Sequence, residues 1–302
     1  MKVLGIGDNV CDKYLETGTI YPGGNAMNFA VFAQKLGCGS AYLGTFGDDI
    51  VGCHVSSVAK ELGLDLSHCR YVSGENGLAR VWLVNGDRVF LPGNKGGACK
   101  EHPPILDDAD MDYMKEFDLL HTSIYSYLEP QLYKLKQSGA FVSMDFSDDY
   151  TPDYLAQYCP YIDAAILSCG KMPEDEILAL QKKVASYGPT VVIATRGSKG
   201  AQVLIHDKLY LQPPHLVEAT DTMGAGDAFL TCFLTNYVKA LKIKTADSPS
   251  IPGEYIHEIL SLSADFAAAQ CLVSGSFGHG KQVSLTKEDK AVMLAFSEHF
   301  IP

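Results

Sequence analysis

The stretch AAILSCGKMPEDEILALQKKVASYGPTVVIAT, residues 164–195, contains one complete strand–helix–strand pattern. Short apolar runs at 164–167 and 191–195 predict two strands, and the amphipathic segment between them, residues 174–187, predicts a helix. A helix that connects two strands returns the chain along one face of the sheet, so such strands pair in parallel. This unit therefore predicts an α/β fold with a parallel sheet.

The same alternation extends over most of the chain. Further strands are predicted at residues 3–7, 41–45, 119–122 and 141–145. Further helices are predicted at residues 25–36, 50–62, 129–138, 225–241 and 256–273. We therefore expect a single α/β domain over residues 1–302, with a Rossmann-like, mainly parallel central sheet that is covered by helices on both faces.

Two segments depart from this alternation and predict a small β-lid. Asn85 and Gly86 separate two β-rich runs, and an Asn-Gly pair there is typical of a tight hairpin turn, because both residues tolerate positive φ. Residues 12–22 also have an extended pattern. The lid is expected to consist of about residues 12–22 and 78–92, and a second hairpin is predicted around residues 206–208.

The composition limits the classes of partner. The 302 residues are 47% hydrophobic, which is enough for one large core, and the formal net charge of −12 gives no electrostatic attraction to nucleic acid or to an anionic membrane. No run approaches about 20 apolar residues, so no membrane span is expected. The nine cysteines are scattered, odd in number and without a CxxC pair, which predicts neither disulfides nor a zinc site. With an N-terminal apolar run too short for a signal peptide, the chain is expected to be cytoplasmic.

The most informative motif is Asp-Thr-Met-Gly-Ala-Gly-Asp-Ala-Phe, residues 221–229. Gly224, Ala225 and Gly226 lie where a loop enters a predicted buried helix, so their N–H groups have no partner within the helix and an anion can approach closely. Asp227 follows directly. A carboxylate beside a phosphate-binding site can take the proton of an attacking hydroxyl, and we prefer this interpretation to a simple helix-dipole role.

Two further groups of residues are candidate substrate ligands. Gly23 and Gly24 open a predicted helix, and Asn28 lies one turn further on, where its amide can hydrogen-bond a hydroxyl. Asp8 and Asp12 follow the first predicted strand, at the end of the sheet where ligands usually bind. A glycine-initiated core helix, a loop cap and a solvated surface carboxylate are the alternatives that the sequence leaves open.

Together these motifs resemble the ribokinase (PfkB) family of carbohydrate kinases. Residues 23–30, GGNAMNFA, match the family's N-terminal signature, and residues 221–229 match its C-terminal signature. The order and separation of the motifs and the α/β pattern between them also fit. The resemblance implies a ribokinase-like fold with a β-lid, and transfer of the γ-phosphoryl group of ATP to a substrate hydroxyl with Mg²⁺ on the nucleotide.

The resemblance also implies a role for each matched residue. Asp227 would be the catalytic base, and the amides of residues 224–226 would form the anion hole. Substrate ligands would be Asp8, Asp12, Gly23, Gly24 and Asn28. Nucleotide-binding residues would be Ser168, Thr195, Gly197, Gly200 and Gly278. Asp221 would lie near a monovalent cation such as K⁺.

The predicted lid adds candidates of its own. Arg88 follows the hairpin turn, and Asn94 and Lys95 lie just past the second lid strand, where a side chain would meet a phosphate of ATP or of the product. A plain exposed hairpin residue is the alternative for Arg88. Trp82 is interpreted as lid packing or an oligomer contact, and pairing of lids between subunits would give a homodimer.

One departure from the family pattern concerns the metal. Many members carry Asn-x-x-Glu after the strand that ends near residue 167, whereas this chain has Ser168 and, three residues later, Lys171. Ser168 would replace the asparagine. The glutamate has no counterpart at position 171, and the acids at 174–176 are the candidates to replace it.

Within the family, the pattern is most similar to fructoselysine 6-kinase-like members, through residues 7–14, 145–148 and 275–278. This similarity implies phosphorylation at O6 of fructoselysine or a related fructosamine. An acidic pocket that contains Asp8, Asp12 or Asp148 would attract the positive charge of such a substrate. A kinase for fructose, ribose or an adenosine-type nucleoside is the alternative.

Two other classes of protein are less favoured. Gly5-Ile-Gly7 begins a string like the dinucleotide-binding fingerprint, but Val10 and an extended pattern follow, so an NAD-dependent oxidoreductase lacks its required helix. A non-catalytic sugar or nucleotide sensor on a kinase scaffold would have no need of Asp227 or of the intact segment 224–226.

Overall fold

The computed structural model describes residues 1–84, 87–94, 96–243 and 251–300. The predicted turn at Asn85 and Gly86 and the candidate Lys95 lie outside these residues. In chain order the strands are β1 (Lys2–Gly7), β2 (Val10–Tyr14), β3 (Thr19–Gly23), β4 (Gly39–Gly47), β5 (Arg70–Val72), β6 (Gly77–Val84), β7 (Asp87–Leu91), β8 (Leu119–Ser123), β9 (Phe141–Asp145), β10 (Ala164–Ser168), β11 (Val191–Thr195), β12 (Ala201–Ile205), β13 (Lys208–Gln212) and β14 (Lys281–Gln282). The α-helices are α1 (Asn25–Lys35), α2 (Ile50–Glu61), α3 (Gly97–Glu101), α4 (Asp108–Met114), α5 (Leu132–Gln137), α6 (Pro152–Tyr158), α7 (Glu174–Ala185), α8 (Ala225–Ile243), α9 (Gly253–Gln270) and α10 (Lys287–Phe300).

Nine of these strands form the central sheet, in the spatial order β13-β12-β11-β10-β9-β8-β1-β4-β5. The strands from β11 to β5 are all parallel, and β12 and β13 add an antiparallel hairpin at one edge. The predicted mainly parallel sheet is confirmed. So is the second hairpin, where His206 takes a φ of 51° at the turn.

Apolar side chains alternate between the two faces of the central sheet. In β1, Val3 packs on one face, and Leu4 and Ile6 pack on the other. Helices α1, α8 and α9 cover the first face, and α4, α5, α6 and α7 cover the second. Apolar strands of this kind are typical of a parallel sheet that is buried on both sides. Polar side chains at the carboxyl ends of the strands are then left for ligands.

The remaining strands form a second sheet, in the order β14-β3-β2-β6-β7, which we call the lid. It contains both segments predicted for the lid, together with β14, which the sequence patterns did not predict. Neighbouring residues of β2 face opposite sides of the lid. Tyr14 donates a hydrogen bond to Asp221 beside α8, whereas Lys13 faces away from that site toward α10.

Helix α10 packs on this outer face of the lid. Asp289 accepts hydrogen bonds from Lys13 Nζ at 2.5 Å and from Arg80 Nε at 2.7 Å, and all three residues are buried. Lys13 and Arg80 are register partners on adjacent strands. The ring of Trp82 lies 5.6 Å from that of Phe296, centroid to centroid, so this tryptophan packs against α10.

Two predicted helices differ from the observed ones. A 3₁₀ turn, Glu129–Gln131, precedes the shorter α5, because Pro130 disfavours the α conformation at the residue before it. Helix α9 begins at Gly253 and ends at Gln270, so it lies nearer the N-terminus than predicted. Among the residues that the structure describes, no helix is long and apolar enough to cross a lipid bilayer.

Candidate active site

The start of α8 is open at one point. Gly224 takes a φ of 73°, and a Cβ at this position would lie 3.0 Å from the Cβ of Ser276. The N–H of Ala225 donates to the carbonyl oxygen of Thr222 at 3.3 Å. Gly226 is exposed, and a Cβ there would meet no heavy atom within 4 Å. Because the first N–H groups of a helix lack partners within the helix, an anion can approach α8 at Gly226.

Asp227 lies directly beside this opening. Its Oδ2 accepts a hydrogen bond of 2.7 Å from Asn28 Nδ2, which also lies 3.2 Å from Ser276 Oγ. Burial raises the pKa of Asp227 to about 8, and the nearby carboxylate of Asp145 raises it further, while the bond from Asn28 opposes the shift. The predicted residues Asn28 and Asp227 are therefore brought together, nearly two hundred positions apart in the chain.

A second carboxylate, Asp145, stands at the carboxyl end of β9 and was not predicted as a site residue. Asn25 Nδ2 donates to its Oδ2 at 3.0 Å, and the N–H of Ser147 donates to its Oδ1 at 2.7 Å. Burial raises the pKa of Asp145 to about 6. The signal that could have found it is an aspartate at the end of a buried parallel strand, the position that suggested Asp8.

Asp8 holds the beginning of α1. Its carboxylate accepts hydrogen bonds from the N–H groups of Asn25 at 2.6 Å and Ala26 at 3.2 Å. The hydroxyls of Ser123 and Ser126 donate to the same carboxylate at 2.7 and 3.0 Å. The cap that the sequence left open for this position is thus present, and a contact between Asp8 and substrate stays a prediction.

Gly23 and Gly24 allow the chain to pass close to these carboxylates. A Cβ at Gly23 would lie 2.9 Å from Asp12 Oδ2. Gly24 takes a φ of 107°, and a Cβ there would lie 2.8 Å from the Cα of Asn9. Glycine is therefore required for steric reasons at Gly24, where the close atom is backbone and φ is positive, whereas a side chain at Gly23 would displace the carboxylate of Asp12.

The lid brings Asp12 and Arg88 to the same place. Asp12 is buried, and burial raises its pKa to about 7, although the guanidinium of Arg88 opposes that shift. Arg88 Nη1 donates to Thr222 Oγ1 at 2.9 Å, so this side chain lies over the loop that leads into α8. The alternative of a plain exposed hairpin residue does not describe Arg88, which is half-buried.

Asp221 links the lid to the loop before α8. It accepts hydrogen bonds from Tyr14 Oη at 2.5 Å and from the N–H groups of Gly275 at 2.8 Å and Met223 at 3.0 Å. The residue is buried. Its side chain therefore has a clear structural role, and its part in cation binding stays a prediction.

The predicted nucleotide residues lie along the central sheet. Ser168 and Thr195 are register partners at the carboxyl ends of β10 and β11, and Ser168 is exposed there. Gly197 begins a 3₁₀ turn with a φ of 56°, Gly200 follows that turn with 84°, and Gly278 takes 85° in the loop before β14. A Cβ at Gly197 would meet no heavy atom within 4 Å, whereas one at Gly200 would lie 2.1 Å from the carbonyl oxygen of Gln212.

Two other candidates are engaged within the protein. Asn94 Oδ1 accepts from the N–H of Leu78 at 2.8 Å, and its Nδ2 donates to the carbonyl of Asn76 at 2.7 Å, so its amide holds the base of the lid. Glu174, one of the acids considered for the missing metal contact, forms an ion pair of 3.1 Å with Arg196. Their predicted roles remain predictions.

Comparison with known proteins identifies the family. The profile described as pfkB family carbohydrate kinase matches residues 3–277. The chain belongs to the pfkB family of carbohydrate kinases. Fructosamine kinase FrlD of Bacillus subtilis (strain 168) is 39% identical over 284 residues, which cover 93% of this chain and 94% of that relative. Fructoselysine 6-kinase of Escherichia coli (strain K12) is 30% identical over 248 residues, 82% of this chain and 93% of that relative. The protein is therefore a sugar kinase of the pfkB family.

Solved structures confirm the ribokinase-like fold. A ribokinase from Giardia lamblia superposes with a TM-score of 0.78 and 18% identity, over 98% of this chain and 99% of that chain. A fructokinase with bound ATP from Xylella fastidiosa superposes with a TM-score of 0.73 and 18% identity, over 98% of this chain and 99% of that chain. The second sheet fits the lid of this fold.

Proposed function

We propose that this pfkB family kinase transfers the γ-phosphoryl group of ATP to O6 of a fructosamine-type sugar such as fructoselysine. One observation carries the proposal. Asn28 holds the carboxylate of Asp227 at 2.7 Å, one residue after the exposed Gly226 at the start of α8. A base and an anion site that lie side by side suit the attack of a hydroxyl on a phosphate.

In the proposed step, Asp227 takes the proton of the O6 hydroxyl while O6 bonds to the γ-phosphorus. The bond from phosphorus to the β,γ-bridging oxygen breaks, ADP leaves, and the N–H groups at the start of α8 offset the developing charge. Asn28 keeps the carboxylate oriented. Asp227 must be ionised to act, and both Arg88 and a cationic amine on the substrate lower its raised pKa.

The nucleotide is proposed to lie along Ser168, Thr195 and the turn from Gly197 to Gly200, with Gly278 near the adenine. Mg²⁺ supplies charge neutralisation on the phosphates. In the described ranges no group of three or more His, Cys, Asp or Glu side chains is placed to hold a metal, so phosphates and water are proposed as its main ligands. A K⁺ ion at Asp221 would replace one of that residue's hydrogen bonds, and assays in K⁺ and Na⁺ buffers test this requirement.

The substrate class follows from charge and from the relatives. The carboxylates of Asp8, Asp12, Asp145 and Asp227 converge on one site, and burial raises the pKa of the last three. A substrate with an ammonium group relieves this repulsion, whereas a neutral sugar does not. The relatives that are named fructosamine and fructoselysine kinases act, by those names, on sugars of this kind.

A coupled ATP assay across fructoselysine, fructose, ribose and adenosine tests the proposal. Fructoselysine is expected to show the highest kcat/KM. A preference for ribose or adenosine would instead support one of the alternative kinase activities. Sugar binding without phosphate transfer would support a non-catalytic sugar sensor.

The catalytic base is tested by mutation. Asp227→Asn is expected to retain ATP binding and to lower turnover by a factor on the order of 10² or more, because the general base is lost. Asp207→Asn makes the same chemical change at an exposed hairpin residue and serves as the matched control. Undiminished turnover of Asp227→Asn would remove this residue from the mechanism.

We propose a single cytoplasmic domain that has no nucleic-acid or membrane partner. A homodimer through the lid is proposed to use edge strand β7, where Phe90 is exposed, because α10 already covers the outer face. Sedimentation equilibrium tests this state.

A further inference from the structure

A cavity of about 430 Å³ opens beside the candidate active site. Asp8 and Asn9, which follow β1 and are buried, form its inner end. Tyr125 and Tyr127, which follow β8, line its side. The size lies within the range of about 300–1,000 Å³ that is usual for sites of small molecules.

The cavity joins the carboxylate cluster at its inner end. Asp8 lines it and also accepts the N–H of Asn25, whose side chain bonds Asp145. Tyr125 reaches the same cluster through Ser147, whose N–H donates to Asp145. In the described part of the chain, neither Asp227 nor Asn28 is among the lining residues. The cavity therefore leads away from the position of phosphate transfer.

The outer end carries one cation and one anion. Lys100 and Asp149 both line the cavity and both are exposed. Lys100 Nζ lies 6.0 Å from the centroid of the Tyr127 ring. Asp149, rather than its neighbour Asp148, is the acid at this cavity. A pair of opposite charges at the mouth, with aromatic rings behind it, suits a zwitterion on an aliphatic chain.

We propose that this cavity binds the amino-acid part of the fructosamine, an inference that rests on the proposed function. Lys100 faces the α-carboxylate, Asp149 faces the α-ammonium, and the rings of Tyr125 and Tyr127 lie along the methylene chain. The sugar then occupies the carboxylate cluster with O6 toward Asp227. A free hexose leaves the cavity empty, so these residues select glycated amino acids over simple sugars.

Substrate analogues separate the contribution of the α-ammonium group to binding from that of the α-carboxylate. The series consists of fructoselysine, the fructosamine of 6-aminohexanoate, which lacks the α-ammonium, the fructosamine of cadaverine, which lacks the α-carboxylate, and the fructosamine of pentylamine, which lacks both. Loss of either group is expected to raise KM about 3- to 10-fold with little change in kcat, as for one partly exposed ion pair.

Variants identify the partner of each group. Lys100→Met is expected to raise KM about 3- to 10-fold for fructoselysine and for the 6-aminohexanoate compound, and to leave the cadaverine and pentylamine compounds unchanged. Asp149→Asn is expected to affect fructoselysine and the cadaverine compound only. Lys100→Arg keeps the charge and restores most of the affinity. Lys208→Met and Asp207→Asn, at the exposed β12–β13 hairpin, are the matched controls.

The outcomes separate this inference from the function on which it rests. If no fructosamine is phosphorylated, the proposed function fails. If all four fructosamines react with equal KM, or if Lys100→Met and Asp149→Asn raise KM equally for every compound, the function stands and the cavity assignment is overturned. The selective effects expected for Lys100→Met and Asp149→Asn would support both the proposed function and the cavity assignment.

Discussion

Asp145→Asn is expected to move the acid limb of the pH–rate profile to lower pH. The pKa of Asp227 is raised to about 8, first by burial and next by the nearby charge of Asp145. The two carboxylates are held by Asn25 and Asn28, which lie three residues apart on α1. Positions i and i+3 of a helix are neighbours on one face, so we place the two charges roughly 6 Å apart.

The size of the shift follows from this separation. At about 6 Å, two unit charges repel by about 0.7 kcal/mol in bulk water and by about 2.8 kcal/mol at an effective dielectric constant of about 20. Since about 1.4 kcal/mol corresponds to one pKa unit, the neutral asparagine should lower the acid limb by roughly 0.5 to 2 units. The pKa that the acid limb reports is a property of the coupled carboxylates as a group.

The assay is kcat/KM for fructoselysine from about pH 5 to pH 9, which reports ionisations of the free enzyme and substrate. Asp207→Asn, at the exposed hairpin, should leave the limb in place. Only the pH of the limb is compared between Asp145→Asn and the wild type, and not the level of turnover. A limb that stays where it is in the wild type, or that moves to higher pH, would show that the charge of Asp145 does not raise the pKa of Asp227.

Three further outcomes are expected. Gly224→Ala should lower kcat and cost about 1–2 kcal/mol in denaturant unfolding, because φ is 73° and the new Cβ would crowd the adjacent loop at 3.0 Å. Asp289→Ala should cost about 3 kcal/mol and lower Tm, since it leaves the buried ammonium of Lys13 without an ion-pair partner and leaves Arg80 only the exposed Glu288; an unchanged Tm would show that these ion pairs do not stabilise the fold. The folded state raises the pKa of Asp227 to about 8, so it holds that proton more tightly than the unfolded chain, and wild-type stability should fall as pH rises from about 4 to 8. Asp227→Asn should therefore exceed the wild type in Tm at pH 8 and lose this advantage toward pH 4, as thermal unfolding at both values would show.

Strands with both faces buried were predictable from the sequence. Phe141–Asp145 and Val191–Thr195 are short, mostly apolar runs, and their observed bounds are those predicted. Strand β14 was not predictable, because its two exposed residues are extended only through pairing with Thr19 and Ile20. No local pattern encodes a partner that lies so far away in the chain.

The site was predictable where a motif is local. Residues 224–227 lie in one turn, and the glycines among them indicate where the helix begins. The environment of Asp8 was not predictable in this way, since two of its four donors, Ser123 and Ser126, lie at and just after the end of another strand, β8. The importance of Asp145 likewise depends on Asn25, which reaches it from a different element.

The position of α10 has a consequence for the order in which the molecule is made. Strands β2 and β3 leave the ribosome long before their neighbours β14 and α10. Until Glu288 and Asp289 emerge, Lys13 and Arg80 lack the acids of α10 that neutralise them. Because the N-terminal parts of a chain generally fold first during synthesis, the central sheet can assemble before α10 covers the outer face of the lid.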